Sequence, residues 1–272
     1  MIKTPYSQPV INQIDPSYLN LALSGEGEEL ALELEQKVQK YIGTGYAISS
    51  TNATSALHLS MCALDIKRGD KIICSVNSHP SVPAVIRHFD AEPIFIDINP
   101  DTYNMDLNQL EALLAQKQSK KLRGIIINFI AGQTIDLNEF YKLTRKNRLF
   151  VVEDATDAFG ANYEGKKIGT FGADITVFTF SPYRQSNPSN CAMVTTNDDD
   201  LYERALIMRN HAIEKRPTDS LSYIYDVIDI GCDYHISAID AAYSLTSFNT
   251  IDSQIQKRQN IAKRYLEALD DL

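Results

Sequence analysis

The 272-residue chain has no CxxC spacing, no GxGxxG turn and no Lys/Arg cluster that overrides its acidic balance locally. None of its apolar runs approaches the roughly 20 residues of a membrane span. Without CxxC, and with three of the four cysteines (Cys62, Cys74, Cys191, Cys232) in or beside apolar runs, the thiols read as small reduced hydrophobes of a cytoplasmic protein. The missing basic cluster, with 35 acidic residues against 26 basic ones and a net charge of -9, argues against a nucleic-acid partner. The opening MIKTPYSQPV lacks an apolar signal core, so nothing is expected to direct the chain to or across a membrane. No Asp/His set has convincing metal spacing, and no internal repeat or low-complexity tract is visible.

What is present is a regular alternation. At 44% hydrophobic content the chain can bury one large core, or one core and a small appendage. Pro5 and Pro9 make the first residues an extended arm, before a short helix from Ser17 to Leu23. An amphipathic helix from Glu28 to Tyr41 ends at Gly43. Strand Tyr46 to Ser49 then runs into the helix of NATSALHL. Strands follow at Lys71 to Val76, Pro93 to Ile98, Arg123 to Phe129 and Arg148 to Glu153. Helices at Ala84 to Phe89, Leu107 to Gln116 and Leu137 to Lys146 separate them. Two apolar strands, Ile175 to Phe180 and Ala192 to Thr196, flank a polar loop. Beyond Asp198 come a helix from Leu201 to Arg209, the loop NHAIEKRPTD with Lys215, Arg216 and Pro217 exposed, and one long helix from Ala238 to Leu269. Such alternation implies a mostly parallel, doubly wound α/β sheet that binds ligands at the carboxyl ends of its strands.

Three loops therefore converge: TNAT, NSHPS and EDATDAFGA. Small hydroxyl residues where a strand meets a helix make an anion site, because free N–H groups and the helix dipole face the gap. Thr54 can add a hydroxyl, although Asn52 and Thr54 are equally accounted for as helix caps. Asp154, just past the VVE strand, can ligate a metal, hold a ribose hydroxyl or pair with a cationic ring nitrogen. The absence of metal spacing and of GxGxxG weakens the first two readings.

Motifs of different kinds follow one another in a telling order: PYSQP, NATSALHL, RGDKII, EPIFIDI, AGQTID, EDATDAFGANYEGKKIGTFGADITVFTF, TTND, MRNHAI and KRQNIAKRYLEAL. In them the chain resembles the DegT/DnrJ/EryC1/StrS family of pyridoxal phosphate (PLP)-dependent nucleotide-sugar aminotransferases. The resemblance implies a three-layer αβα, fold type I architecture. A large domain would span 1–225, and 226–272 would be a helical remnant leading to a small domain that is largely missing. It also implies that Asp154 faces the pyridine nitrogen of PLP or of its aminated form PMP, which keeps the ring protonated as an electron sink. Ala53 and Thr54 would hold the phosphate with Thr179, and His79 would stack on the ring.

The departures from the family pattern are as informative. In FTFSPYR, Arg184 occupies the Schiff-base lysine position, and SNCA replaces a glycine-rich turn. A guanidinium stays protonated up to a pKa above about 12, so Arg184 can neither bond covalently to PLP nor shuttle a proton at neutral pH. Asp157 stands where the family has Gln or His near the cofactor's phenolic oxygen, which a carboxylate repels unless protonated. Asp233 and His235 replace the Asn and Arg of a segment that reaches the neighbouring subunit's phosphate. Conventional transamination is therefore not expected. The resemblance leaves three readings: a family member with lost transaminase activity, a PMP-dependent sugar dehydratase-like enzyme, and a non-catalytic sugar-nucleotide-binding homologue. The last would form a homodimer or pair with an active paralogue.

Overall fold

A computed structural model describes residues 13–25, 27–116, 119–180, 190–215 and 225–269. The first elements in chain order are α1 (Pro16–Ser24), α2 (Gly27–Ile42), β1 (Tyr46–Ser50), α3 (Ala53–Ala63), β2 (Lys71–Ser75), α4 (Ser81–His88) and β3 (Glu92–Ile96). Next come α5 (Leu107–Leu114), β4 (Leu122–Asn128), α6 (Leu137–Lys146), β5 (Phe150–Asp154), β6 (Asn162–Tyr163), β7 (Lys166–Lys167) and β8 (Ile175–Thr179). The last are β9 (Ala192–Thr196), α7 (Asp199–Arg209), β10 (Ile213–Lys215), β11 (Tyr225–Val227), α8 (Ala238–Phe248) and α9 (Ile251–Ala268).

Seven strands form one sheet in the order β1-β9-β8-β5-β4-β2-β3. The pairs β2·β3, β2·β4, β4·β5 and β5·β8 are parallel, and β9 runs antiparallel to both of its neighbours. Alternation along the strands splits the core. Ile73, Ile125, Ile127, Val151, Phe178 and Met193 face α2, α5, α6 and α8, whereas Ile72, Cys74, Ile126, Val152, Val177 and Val194 face α3, α4 and α7. This is a three-layer αβα arrangement, and each such side chain fully buried contributes about 1.5–3 kcal/mol.

Local chemistry sets the helix starts. Asp15, Asn52, Asp106, Asp136, Asp198 and Ser237 each accept a first-turn N–H, a contact worth about 1 kcal/mol. Gly43, at φ +88°, ends α2 in the left-handed region that a side chain disfavours. Gly124 is required by packing, since a Cβ there would run into the Phe150 ring.

Three sequence expectations need correction. The long helix from Ala238 to Leu269 is two helices, because Asn249 and Thr250 turn the chain: the Thr250 N–H donates to the Ser247 carbonyl at 3.0 Å. Lys215 is not in a loop but closes strand β10, which pairs with β11, while Arg216 and Pro217 lie outside the described residues. Asp154 is the last residue of β5, not a residue beyond it, and pairs in register with Asn128. No helix among the described residues is long and apolar enough to cross a membrane.

Candidate functional site

The carboxyl ends of β1, β2, β5 and β8 open into a cavity of about 620 Å³. Its lining includes Asn52, Ala53, Thr54, His79, Asp154 and Thr179, so five of the seven residues singled out for the site (Ala53, Thr54, His79, Asp154 and Thr179) meet there. Asp157 lines an adjoining cavity of about 190 Å³ that shares His79, Asp154 and Thr156 with the first. Arg184 lies outside the described residues.

Helix α3 supplies one end. The Asn52 side chain takes the Ser55 N–H at 2.9 Å and the Asn52 carbonyl takes that of Ala56. The N–H groups of Ala53 and Thr54 precede the first intrahelical bond, and the helix dipole adds partial positive charge there. Asn52 thus caps the helix while Ala53 and Thr54, ahead of the first intrahelical bond, line the cavity. From behind, the Thr51 N–H donates to the Tyr234 carbonyl at 2.9 Å, and the Tyr234 hydroxyl meets His58 Nδ1 at 2.7 Å. Burial, with His88 nearby, holds His58 below the usual imidazole range, so the ring is neutral at pH 7. The segment after β11 therefore braces the turn that opens α3. Within it, the Asp233 carboxylate is held below its usual range by the hydrogen bond with His235 at 2.8 Å.

Strand β5 supplies the opposite wall. Period-two alternation sends Glu153 and Asp154 to opposite faces. Glu153 is sealed beneath α6, accepting from Tyr141 at 2.5 Å and Thr176 at 2.7 Å, and burial raises its pKa. Asp154, 4% exposed, belongs to the cavity and takes the Thr156 N–H at 3.4 Å. Thr179 ends β8, with its hydroxyl 3.2 Å from the Cys191 carbonyl. His79 Nδ1 accepts from the Ser81 N–H at 3.2 Å, which fixes the orientation of the ring.

The cavity also recruits Ser55, Leu57, Ser81, Thr156 and Asn190, which lie within the motifs NATSALHL, NSHPS, EDATDAFGA and SNCA but carry no role assigned from the sequence. Asn128 is a further addition, at the end of β4 beside Asp154. Its only signal in the sequence is a polar residue closing an apolar strand. Together these groups offer an anion cradle, hydroxyls and a buried carboxylate around one space, which suits a phosphorylated heterocycle with a basic ring nitrogen. Among the described residues no lysine lines either cavity, and no group of His, Cys, Asp and Glu could hold a metal.

The sequence model of the DegT/DnrJ/EryC1/StrS aminotransferase family matches residues 20–272. Across 98% of its length the chain is 31% identical to a GDP-perosamine synthase of Escherichia coli O157:H7, covering 72% of that protein. Across 89% it is 34% identical to an uncharacterized protein of Methanocaldococcus jannaschii, of which it spans 62%. Among solved structures, the sugar aminotransferase CalS13 of Micromonospora echinospora superimposes with a TM-score of 0.85 at 25% identity, over 98% of this chain and 74% of that one.

Proposed function

The chain belongs to the DegT/DnrJ/EryC1/StrS aminotransferase family, whose aminotransferases are PLP-dependent, and from that premise we propose that its cavity binds PLP or PMP and recognises a nucleotide sugar. The observation that carries this reading is the meeting of the α3 N-terminus, Thr54, Thr179 and buried Asp154 around one space. Ala53 and Thr54, with Thr179, hold the phosphate. Asp154 keeps a proton on the ring nitrogen, and His79 covers a ring face. Bound there, the cofactor supplies an electron sink for a carbanion. The sugar-nucleotide assignment draws on relatives such as the GDP-perosamine synthase, and the place in polysaccharide biosynthesis draws on the same family.

Arg184 supports a narrower reading. With arginine at the Schiff-base lysine position, the chain binds its cofactor without a covalent bond and does not carry out conventional transamination. It acts as a PMP-dependent sugar-modifying enzyme, or as a sugar-nucleotide-binding partner in a dimer of this chain or with a lysine-bearing paralogue. Borohydride reduction in the presence of PLP, followed by peptide mass mapping, separates these readings from ordinary transaminase chemistry. The wild type is expected to yield no fixed adduct, and Arg184→Lys one at position 184. A wild-type adduct on any lysine, with turnover, would overturn the narrower reading. Absence of PLP or PMP binding in both proteins would overturn the broader one.

A further inference from the structure

Tyr234 touches the start of α3 with both its main chain and its side chain. Its carbonyl takes the Thr51 N–H at 2.9 Å, just before the Asn52 cap, and its hydroxyl meets His58 Nδ1 at 2.7 Å, one turn beyond Thr54. Between those two contacts the chain passes from β1 into α3 through Asn52, in extended backbone at φ -166° and ψ 172°. One residue thus ties the strand side and the helix side of the turn together. Tyr234 is buried, and that burial raises the pKa of its hydroxyl, which keeps its proton. Phe89 at 4.7 Å and His88 at 5.6 Å between ring centroids confine the His58 ring. Cys62 Sγ lies 3.7 Å from the same His58 nitrogen, but a thiol is a weak partner and a poor substitute for the hydroxyl.

We propose that Tyr234 is a positioning residue for phosphate binding: through His58, its hydroxyl holds the first turn of α3 at the angle where the Ala53 and Thr54 amides act on one phosphate together. This rests on the cofactor reading above and adds to it the residue that preorganises the anion end of the site. Tyr234 does not line the cavity itself and acts through α3. A turn free to tilt has to be ordered at the moment of binding, which lowers affinity without removing a ligand contact.

Tyr234→Phe removes the hydroxyl and leaves the main-chain bond to Thr51. By fluorescence titration of the full chain, it is expected to weaken pyridoxamine phosphate about fivefold, the worth of one hydrogen bond. Pyridoxamine, which lacks the phosphate, should keep its affinity. His58→Leu should match Tyr234→Phe, and the double variant should lose no more than either alone. His58→Asn, whose side-chain amide can reach the same hydroxyl, should bind as the wild type does. An unchanged dissociation constant in Tyr234→Phe, or equal losses for pyridoxamine and its phosphate, overturns the positioning role. Losses that add in the double variant, or a His58→Asn protein as weak as His58→Leu, overturn the route through His58. Failure of the wild type to bind pyridoxamine phosphate overturns the cofactor reading and this inference with it.

Discussion

Glu153 and Asp154 are adjacent carboxyl residues on opposite faces of the sheet, and the pleat of β5 alone separates them. Asp154→Asn keeps the shape and an acceptor but cannot stabilise a protonated ring nitrogen. We expect it to weaken PMP by about 2 kcal/mol, roughly thirtyfold in Kd by fluorescence titration. An unchanged Kd would remove Asp154 from the site. Glu153 behaves differently, since burial raises its pKa in the fold. A carboxyl whose folded pKa lies above its unfolded value gives full stability below the unfolded pKa. Stability then falls as pH rises towards the folded pKa, by at most about 1.4 kcal/mol per pH unit. Urea midpoints of the wild type should therefore decline as pH rises above the group's ordinary value of about 4.5, and Glu153→Gln should flatten that decline. Asp154 could be read from the sequence because a strand-ending acid is a local pattern. Asn128 could not, because its meaning depends on the Asn77 carbonyl across a neighbouring strand, a contact without local signature.

Helix α3 joins fold and site at the level of elements. Its N-cap was open to two readings, a cap or an anion turn, and the geometry accommodates both: Asn52 takes the Ser55 N–H, and the two preceding amides remain at the cavity. Asn52→Ala should lower the unfolding free energy by about 1 kcal/mol in urea titration. It should also weaken inorganic phosphate binding, because the first turn loses its fixed orientation. Full phosphate affinity in the variant would show that the turn is set by the Thr51–Tyr234 bond instead. Helix existence was legible wherever apolar spacing and a capping Asp or Ser coincided, as at Asp136 and Leu137. The break between α8 and α9 was not. Apolar residues continue across Asn249 and Thr250 at helical spacing, and both residues are only mildly unfavourable in a helix. Their turn is decided by packing, with Ile251 buried at the start of α9 and every residue from Gln256 to Leu269 exposed.

At the scale of the whole molecule, the sheet explains why the chemistry gathers at one end. Strand β8 runs parallel to β5 and delivers Thr179 beside Asp154, while β9 returns antiparallel, so Thr179 and Asn190 flank the same cavity. The parallel part was legible from alternation. The placement of β1 at the edge, beyond β9, was not, because sheet order is set by packing and crossovers rather than by strand sequence. Past the sheet, the β10–β11 hairpin and the turn after it leave Val227 at 63%, Ile228 at 50% and Ile230 at 88% exposure. These exposed apolar side chains, beside the segment that braces the start of α3, are ones a second subunit would bury with gain. The proposed dimer therefore makes a specific demand. Sedimentation velocity should give one species of twice the chain mass, and Val227→Glu combined with Ile230→Glu should give the single chain with an unchanged far-UV spectrum. A wild type that sediments as one chain, or a double variant that stays dimeric, would rule out pairing through this face.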